Sequence, residues 1–172
     1  MLRMIGVLLL MAGSVGLGWS VKEKWKASLE VLYQMRQIFE MLQNEITYSR
    51  ASLPEACSRI GGRVEEPYRN AFFSIRKKML ANRGVPFYTI WKEEMEKCME
   101  KLPGAGEDKR VFLDFGGCIG YMDGEMQAEA VEQYIHKLNI SIERMEKDMW
   151  NKYKVIMSLS IMGGLMLAIM LL

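Results

Sequence analysis

Histidine and cysteine are scarce in this 172-residue sequence, and their scarcity excludes several kinds of chemistry. One histidine, His136, cannot supply the paired histidine ligands of a metal site or the two Glu-x-x-His motifs of a di-iron bundle. Cys57, Cys98 and Cys118 are an odd number at unrelated spacings, which does not indicate a disulfide framework. Because no cluster of nucleophile, base or metal ligands remains, we expect no enzymatic activity and no cofactor.

Charge is nearly balanced overall but is missing from both ends of the chain. The net charge is only +2, so no basic surface suited to nucleic acid is expected. Residues 4–21 and 155–172 include no ionisable side chain, and each run would rise about 27 Å as α-helix, close to the hydrocarbon thickness of about 30 Å. We therefore predict transmembrane helices at residues 1–21 and 155–172, on either side of a middle domain at residues 22–154.

The basic residues beside the two runs predict the orientation of the chain. Three lysines at residues 22–26 follow the first run, four basic residues at 144–154 precede the second, and only Arg3 lies beyond the runs. Positive flanks remain in the cytoplasm, so the middle domain is predicted to be cytoplasmic and both termini to face outward. A cleaved signal peptide is the competing interpretation of the first run, with a conceivable cleavage site at Ala12-Gly13-Ser14, but the basic residues after the run argue against it.

Small residues within the runs favour close packing of helices in the membrane. Ala12 and Gly16 are four residues apart, a spacing that lets another helix approach closely. Gly163 and Gly164 provide small residues in the second run. The alternative is that the first run is simply a weakly apolar span with no helical partner.

Apolar residues in the middle domain recur at helical spacing, with steps that alternate between four and three. Such a seam is typical of helices that pack lengthwise on one another. We predict that each seam continues from a transmembrane run and that the two long helices pair antiparallel, either within one chain or between copies. The first seam comprises Val21, Trp25, Ser28, Leu32, Met35, Phe39, Leu42 and Ile46, and the second comprises Val131, Ile135, Leu138, Ile142, Met145 and Met149.

Shorter helices are predicted between the two long ones. Ser52 and Glu55 have the spacing of a capping box, which starts a helix that ends at Gly61-Gly62. Further helices are expected over residues 66–82, after Pro86, and over residues 108–119. The predicted fold is therefore all-α, an antiparallel helical bundle between two transmembrane helices.

An ordered set of motifs runs along the chain. The set begins with Leu42-Gln43-Asn44-Glu45-Ile46-Thr47-Tyr48 and continues with Leu53-Pro54-Glu55-Ala56. These motifs resemble those of the stage III sporulation protein AB family, and Trp91 falls where that family keeps a Gly…Trp helix start. A glycine-containing stretch over residues 113–123 follows, with Gly116, Gly120 and Asp123, and then Gln127; Tyr153-Lys154 and the Gly163-Gly164 run resemble the family's C-terminal end.

The resemblance implies a scaffold or assembly component of the channel complex between mother cell and forespore, a secretion-like complex required for sporulation. It implies a multi-pass protein of the mother-cell membrane, whose soluble part is similar to the cytoplasmic domain of the type II secretion F protein. The implied partners are the other membrane subunits and the cytoplasmic ATPase of the complex, with possible self-association. Within this family pattern, Tyr48, Leu53, Pro54, Glu55 and residues 116–123 are expected to be architectural positions.

A generic two-span signalling or regulatory protein is the alternative. Its helical domain would transmit a change between the two membrane spans. The observation that favours it is that both long helices are predicted to continue into the membrane.

Overall fold

The computed structural model describes residues 2–49, 51–81, 84–104, 106–119 and 124–171. Within those ranges every regular element is a helix, which confirms the predicted all-α fold. The elements are α1 (Leu2–Asn44), a π-helical turn (Glu45–Ser49), α2 (Leu53–Gly61), α3 (Tyr68–Ala81), α4 (Phe87–Met99), α5 (Gly106–Asp114), α6 (Gly116–Ile119) and α7 (Gly124–Leu171).

The long helices α1 and α7 pair antiparallel within one chain. The Lys152 ammonium lies 4.4 Å from the centroid of the Trp25 ring, whereas Phe39, farther along α1, has its ring centroid 5.8 Å from that of Tyr134. Residue numbers therefore rise along α1 as they fall along α7. The pairing buries half of each predicted seam, namely Leu32, Met35, Phe39 and Leu42 of the first and Val131, Leu138 and Ile142 of the second.

Polar contacts fix the register of this pair between its apolar layers. The Tyr33 hydroxyl donates a hydrogen bond to the Glu146 carboxylate. The Arg36 guanidinium donates one to the Asn139 side-chain oxygen at 3.3 Å and also lies 5.3 Å from the Tyr33 ring centroid. A shift of one helix along the other would separate these partners as well as the apolar layers.

Both long helices are continuous, as the seams predict. Helix α1 reaches Asn44 and α7 begins at Gly124, so each apolar run belongs to the same helix as the adjoining seam. The 48 residues of α7 correspond to about 72 Å of helix at 1.5 Å per residue. Among the residues that the structure describes, no helix combines the length and the apolar character needed to cross a membrane.

The short helices form a second layer that closes on the long pair. Helix α2 packs on α3, and α3 packs on α4. Helix α4 then contacts α5 and α6, which in turn contact α7. Lys109 on α5 fastens this layer, because it donates hydrogen bonds to the carbonyl oxygen of Met99 at the end of α4, at 2.8 Å, and to that of Leu102 in the turn that follows, at 2.6 Å.

Two local predictions are wrong. Ser52 occupies the N-cap position of α2, but its side chain makes no capping hydrogen bond. The backbone carbonyl oxygen of Ser52 accepts hydrogen bonds from the amide N–H groups of Glu55 and Ala56. The Glu55 carboxylate pairs with Arg59, so no capping box forms. The helix predicted over residues 108–119 is divided at Phe115 into α5 and α6, and the two glycines that follow, Gly116 and Gly117, weaken the preference for a continuous helix there.

Candidate interaction surface

A π-helical turn joins the end of α1 to the segment before α2. It comprises Glu45–Ser49, the second half of the first motif. The β-branched side chains of Ile46 and Thr47 lower the preference for a regular α-helix here. π-helical turns are rare and often lie at functional sites, so the residues around this turn are candidates for a functional surface.

A buried carboxylate braces this turn against α2. The Glu45 residue is only 4% exposed, and its Oε2 accepts a hydrogen bond from Arg59 Nη1 at 2.9 Å. The Nη2 of the same guanidinium lies 2.6 Å from Glu55 Oε1, and Arg63 Nη1 approaches Glu45 Oε1 at 3.9 Å. Glu45 and Glu55 come from the two consecutive motifs, so one arginine joins the motifs in space.

The electrostatics of this cluster keep Arg59 charged. The hydrogen bond to Glu55 raises the pKa of the Arg59 guanidinium, and the negative charges of Glu55 and Glu45 raise it further. A guanidinium between two carboxylates therefore acts as a fixed ionic link between the π-turn and α2.

Tyr48 is the exception among the described motif residues because it is exposed, and its predicted architectural role stays a prediction. Its side chain is 82% exposed and contributes nothing to the core. Thr47 and Ser49 beside it are also exposed. The π-turn thus combines a buried, paired Glu45 with a large aromatic side chain presented to solvent. We refer to Tyr48, Glu55, Arg59 and Arg63 as the π-turn surface.

Trp91 is the centre of the aromatic core behind this surface. It is fully buried, and its indole N–H donates a hydrogen bond to the Phe112 carbonyl oxygen at 3.2 Å. Its ring centroid lies 5.5 Å from that of Phe115 and 5.9 Å from that of Phe72. Phe39 of α1 joins the cluster at 4.9 Å from Phe112. Trp91 therefore links α3, α4 and α5 to the long pair.

Glycine is required at position 116 because the Trp91 ring lies against the backbone there. A Cβ atom built on Gly116 would lie 2.5 Å from Trp91 Cδ1, far inside van der Waals contact. The indole therefore occupies the space that any other residue at position 116 would need for its side chain. The motif positions Trp91 and Gly116, far apart in sequence, are two halves of one contact, which supports the architectural role expected of both.

The remaining predicted residues are placed as follows. Leu53 is partly buried and packs against the core, and Pro54 lies in the first turn of α2. Gly120 and Asp123 lie outside the described residues. Helix α1 includes Ala12 and Gly16, and α7 includes Gln127 and Gly164, but the surroundings of these four also lie outside what the structure describes. A Cβ on Gly163 would meet no described atom within 4 Å.

Sequence reasoning missed the ionic partners of the buried carboxylates. Glu94 is 8% exposed, and its carboxylate lies 2.8 Å from Lys78 Nζ and 3.0 Å from Lys97 Nζ. Arg59 was missed in the same way. The available signal was the spacing of acids and bases three or four residues apart, Glu55 with Arg59 and Glu94 with Lys97, which favours pairing on one helix face.

The chemistry of the described residues is that of packing and ion pairing. Burial raises the pKa of the Cys57 thiol to about 12 and is also the main reason that the pKa of Cys98 rises to about 12. Neither thiol is therefore a thiolate at neutral pH. In the described part of the chain, no group of three or more His, Cys, Asp or Glu side chains is arranged to hold a metal ion.

Comparisons with known proteins give one family and one related structure. A family model described as stage III sporulation protein AB matches residues 3–172. A solved structure titled "Stage III sporulation protein AB" superposes with a TM-score of 0.64 at 20% sequence identity, covering 72% of this chain and 97% of that chain. At that identity the likeness shows the fold alone. No curated protein sequence matches the chain.

Gly116→Ala is expected to destabilise the fold by about 1–3 kcal/mol, because the new methyl group must displace the buried Trp91 ring. Chemical denaturation of the full chain measures the change. Gly117→Ala is the matched control, since a Cβ there would lie at an ordinary 3.6 Å from Tyr88 and alanine favours helix. Equal effects of the two substitutions would contradict the contact between Gly116 and Trp91.

Arg59→Met is expected to lower the melting temperature more than Arg63→Met does. The first substitution leaves the buried Glu45 carboxylate without its close partner, whereas Arg63 lies 3.9 Å away and is mostly exposed. Adding Glu45→Gln to Arg59→Met should recover part of the loss, because the buried group is then uncharged. No difference between Arg59→Met and Arg63→Met would show that the ionic link carries no stability.

Proposed function

The chain belongs to the stage III sporulation protein AB family, which ties it to sporulation, and from this premise we propose that it is a membrane scaffold of a secretion-like complex. In this role it helps to assemble the channel between mother cell and forespore. It acts by binding other subunits and carries out no reaction itself. The single observation that carries the proposal is the π-turn surface, where motif residues leave a large aromatic side chain exposed on a braced turn.

The sequence supports an anchor at both ends of the chain. Residues 4–21 and 155–172 have no ionisable side chain, and basic residues flank both runs on the side of the middle domain. We propose that both runs span the mother-cell membrane and that the middle domain lies in the cytoplasm. The antiparallel contact between Trp25 and Lys152 supports this topology, since both runs then leave the bundle from the same end.

The π-turn surface lies at the opposite end of α1 from the first apolar run. About twenty residues separate Trp25 from Glu45 along α1, or about 30 Å of helix. A surface carried this far from the proposed membrane is suited to a cytoplasmic partner. An exposed tyrosine beside mostly paired charges fits a protein contact, because interfaces are enriched in tyrosine and arginine.

The proposed partners are the complex's cytoplasmic ATPase and its other membrane subunits. The middle domain would act as the cytoplasmic domain of the type II secretion F protein acts, as an inner-membrane platform beside a secretion ATPase. The F protein has two such domains and three spans, whereas one domain and two proposed spans are available here. A platform built from this chain therefore requires other subunits or further copies.

Deleting the gene is expected to lower the yield of heat-resistant spores strongly while vegetative growth continues. A wild-type copy should restore the yield. Tyr48→Ala should fail to restore it fully although the protein accumulates and melts normally, because the substitution removes only exposed surface. Thr47→Ala, at the neighbouring exposed position, is the matched control and should restore the yield. Normal heat-resistant spores after deletion would contradict the proposed function.

Cross-linking pull-down from sporulating cells separates this role from the signalling alternative. The scaffold role predicts that mass spectrometry recovers a secretion-type ATPase and membrane subunits of the complex. A regulator whose continuous long helices transmit a change would instead yield no ATPase, and substitutions in its middle domain would alter transcription. The second result would replace the scaffold role.

A further inference from the structure

One face of α3 is both basic and apolar. Phe73, Arg76, Lys77 and Leu80 are spaced i, i+3, i+4 and i+7, so they share one side of the helix. Phe73 is 41% exposed and Leu80 is 57% exposed. The helix Tyr68–Ala81 has four basic residues and no acidic one, although the whole chain is nearly neutral.

The two cations on this face have no partner within the described part of the chain. Lys78, their neighbour, is turned toward α4 and pairs with Glu93 at 2.7 Å and Glu94 at 2.8 Å. Arg76 and Lys77 form no ion pair or hydrogen bond with any described residue. They are therefore available to acids from outside the molecule, while the apolar residues beside them offer area to bury.

The first thirteen residues of α7 have the complementary character. Residues 124–136 include three glutamates and no lysine or arginine. Glu129 and Glu132 are exposed and form no ion pair with the residues that the structure describes. The apolar Met126 is 55% exposed, and Ile140, two heptads farther along, is 45% exposed.

We propose that a second copy of this chain binds here, with the α3 face of one copy against the acidic start of α7, residues 124–136, of the next. In this contact Arg76 and Lys77 pair with Glu129 and Glu132, while Phe73 and Leu80 cover Met126. The proposal commits to a second copy because both the unpaired cations and the unpaired acids belong to this chain. Opposite charges that meet across an interface give specificity for one partner, and here apolar residues lie beside them on both faces.

The two faces belong to different layers of the bundle, since α3 packs on α2 and α4 whereas α7 packs on α1, α5 and α6. A contact between two different surfaces is heterologous, so a bound pair leaves one α3 face and one α7 face free. Successive copies can then form a ring or an open row. The inference adds a partner to the proposed function, and a monomeric chain would overturn the inference while leaving the sporulation role standing.

Charge exchange in the full chain tests the proposal. Arg76→Glu with Lys77→Glu should raise the dissociation constant for self-association by about tenfold or more, measured by sedimentation velocity in a nonionic detergent. Glu129→Lys with Glu132→Lys should do the same. All four substitutions in one chain restore the opposite charges and leave the net charge unchanged, and this variant should return to within about threefold of the wild type.

Lys101→Glu with Arg110→Glu is the matched control, because it reverses two exposed charges elsewhere and changes the net charge equally. It should leave the dissociation constant unchanged. Thermal melts of every variant separate a lost contact from a lost fold. A wild-type chain that stays monomeric, a control that weakens association as much, or a four-substitution variant that stays as weak as the two double variants would each overturn the proposal.

Discussion

The antiparallel pairing of α1 with α7 is the constraint on which the rest of the molecule depends. The pair contributes nine buried residues to the core of the described chain, and its register is fixed by the contacts of Tyr33 with Glu146 and of Arg36 with Asn139. Because the helices are antiparallel and begin and end the chain, both apolar runs leave the bundle from one end. The turn that joins α1 to the short helices is then carried to the other end, and this arrangement separates the proposed anchor from the proposed docking surface.

The short helices close on this pair through one tightly packed centre. Trp91 contacts the rings of Phe112 and Phe115, which link it to α1. Its own ring lies so close to the Gly116 backbone that no side chain fits at that position. The ionic cluster of Glu45, Arg59 and Glu55 acts separately, because it fixes the π-turn to α2. The core and the ionically linked π-turn together position Tyr48, although its own side chain is exposed and does not pack in the core.

The long helices were predictable from the sequence because a repeat with steps of four and three is a local property of each helix. The all-α fold and the continuity of both long helices followed from it. The role of Gly116 was suggested only by a motif, since its cause is a contact with Trp91, twenty-five positions earlier in the chain. The ionic partner of Glu45 could not be read in advance, because burial of a carboxylate depends on how α2 folds back. The capping box is wrong for a local reason, because Glu55 pairs with Arg59 one turn later in α2.

A topology reporter tests directly whether the two apolar runs span the membrane and hold the middle domain in the cytoplasm. A reporter fused after Lys109 would follow α1 and stand within the middle domain. If the middle domain is cytoplasmic, alkaline phosphatase at this position is inactive and a green fluorescent protein there is fluorescent. Active phosphatase and a dark fluorescent protein would place the domain outside the cytoplasm and would contradict the proposed docking to a cytoplasmic ATPase.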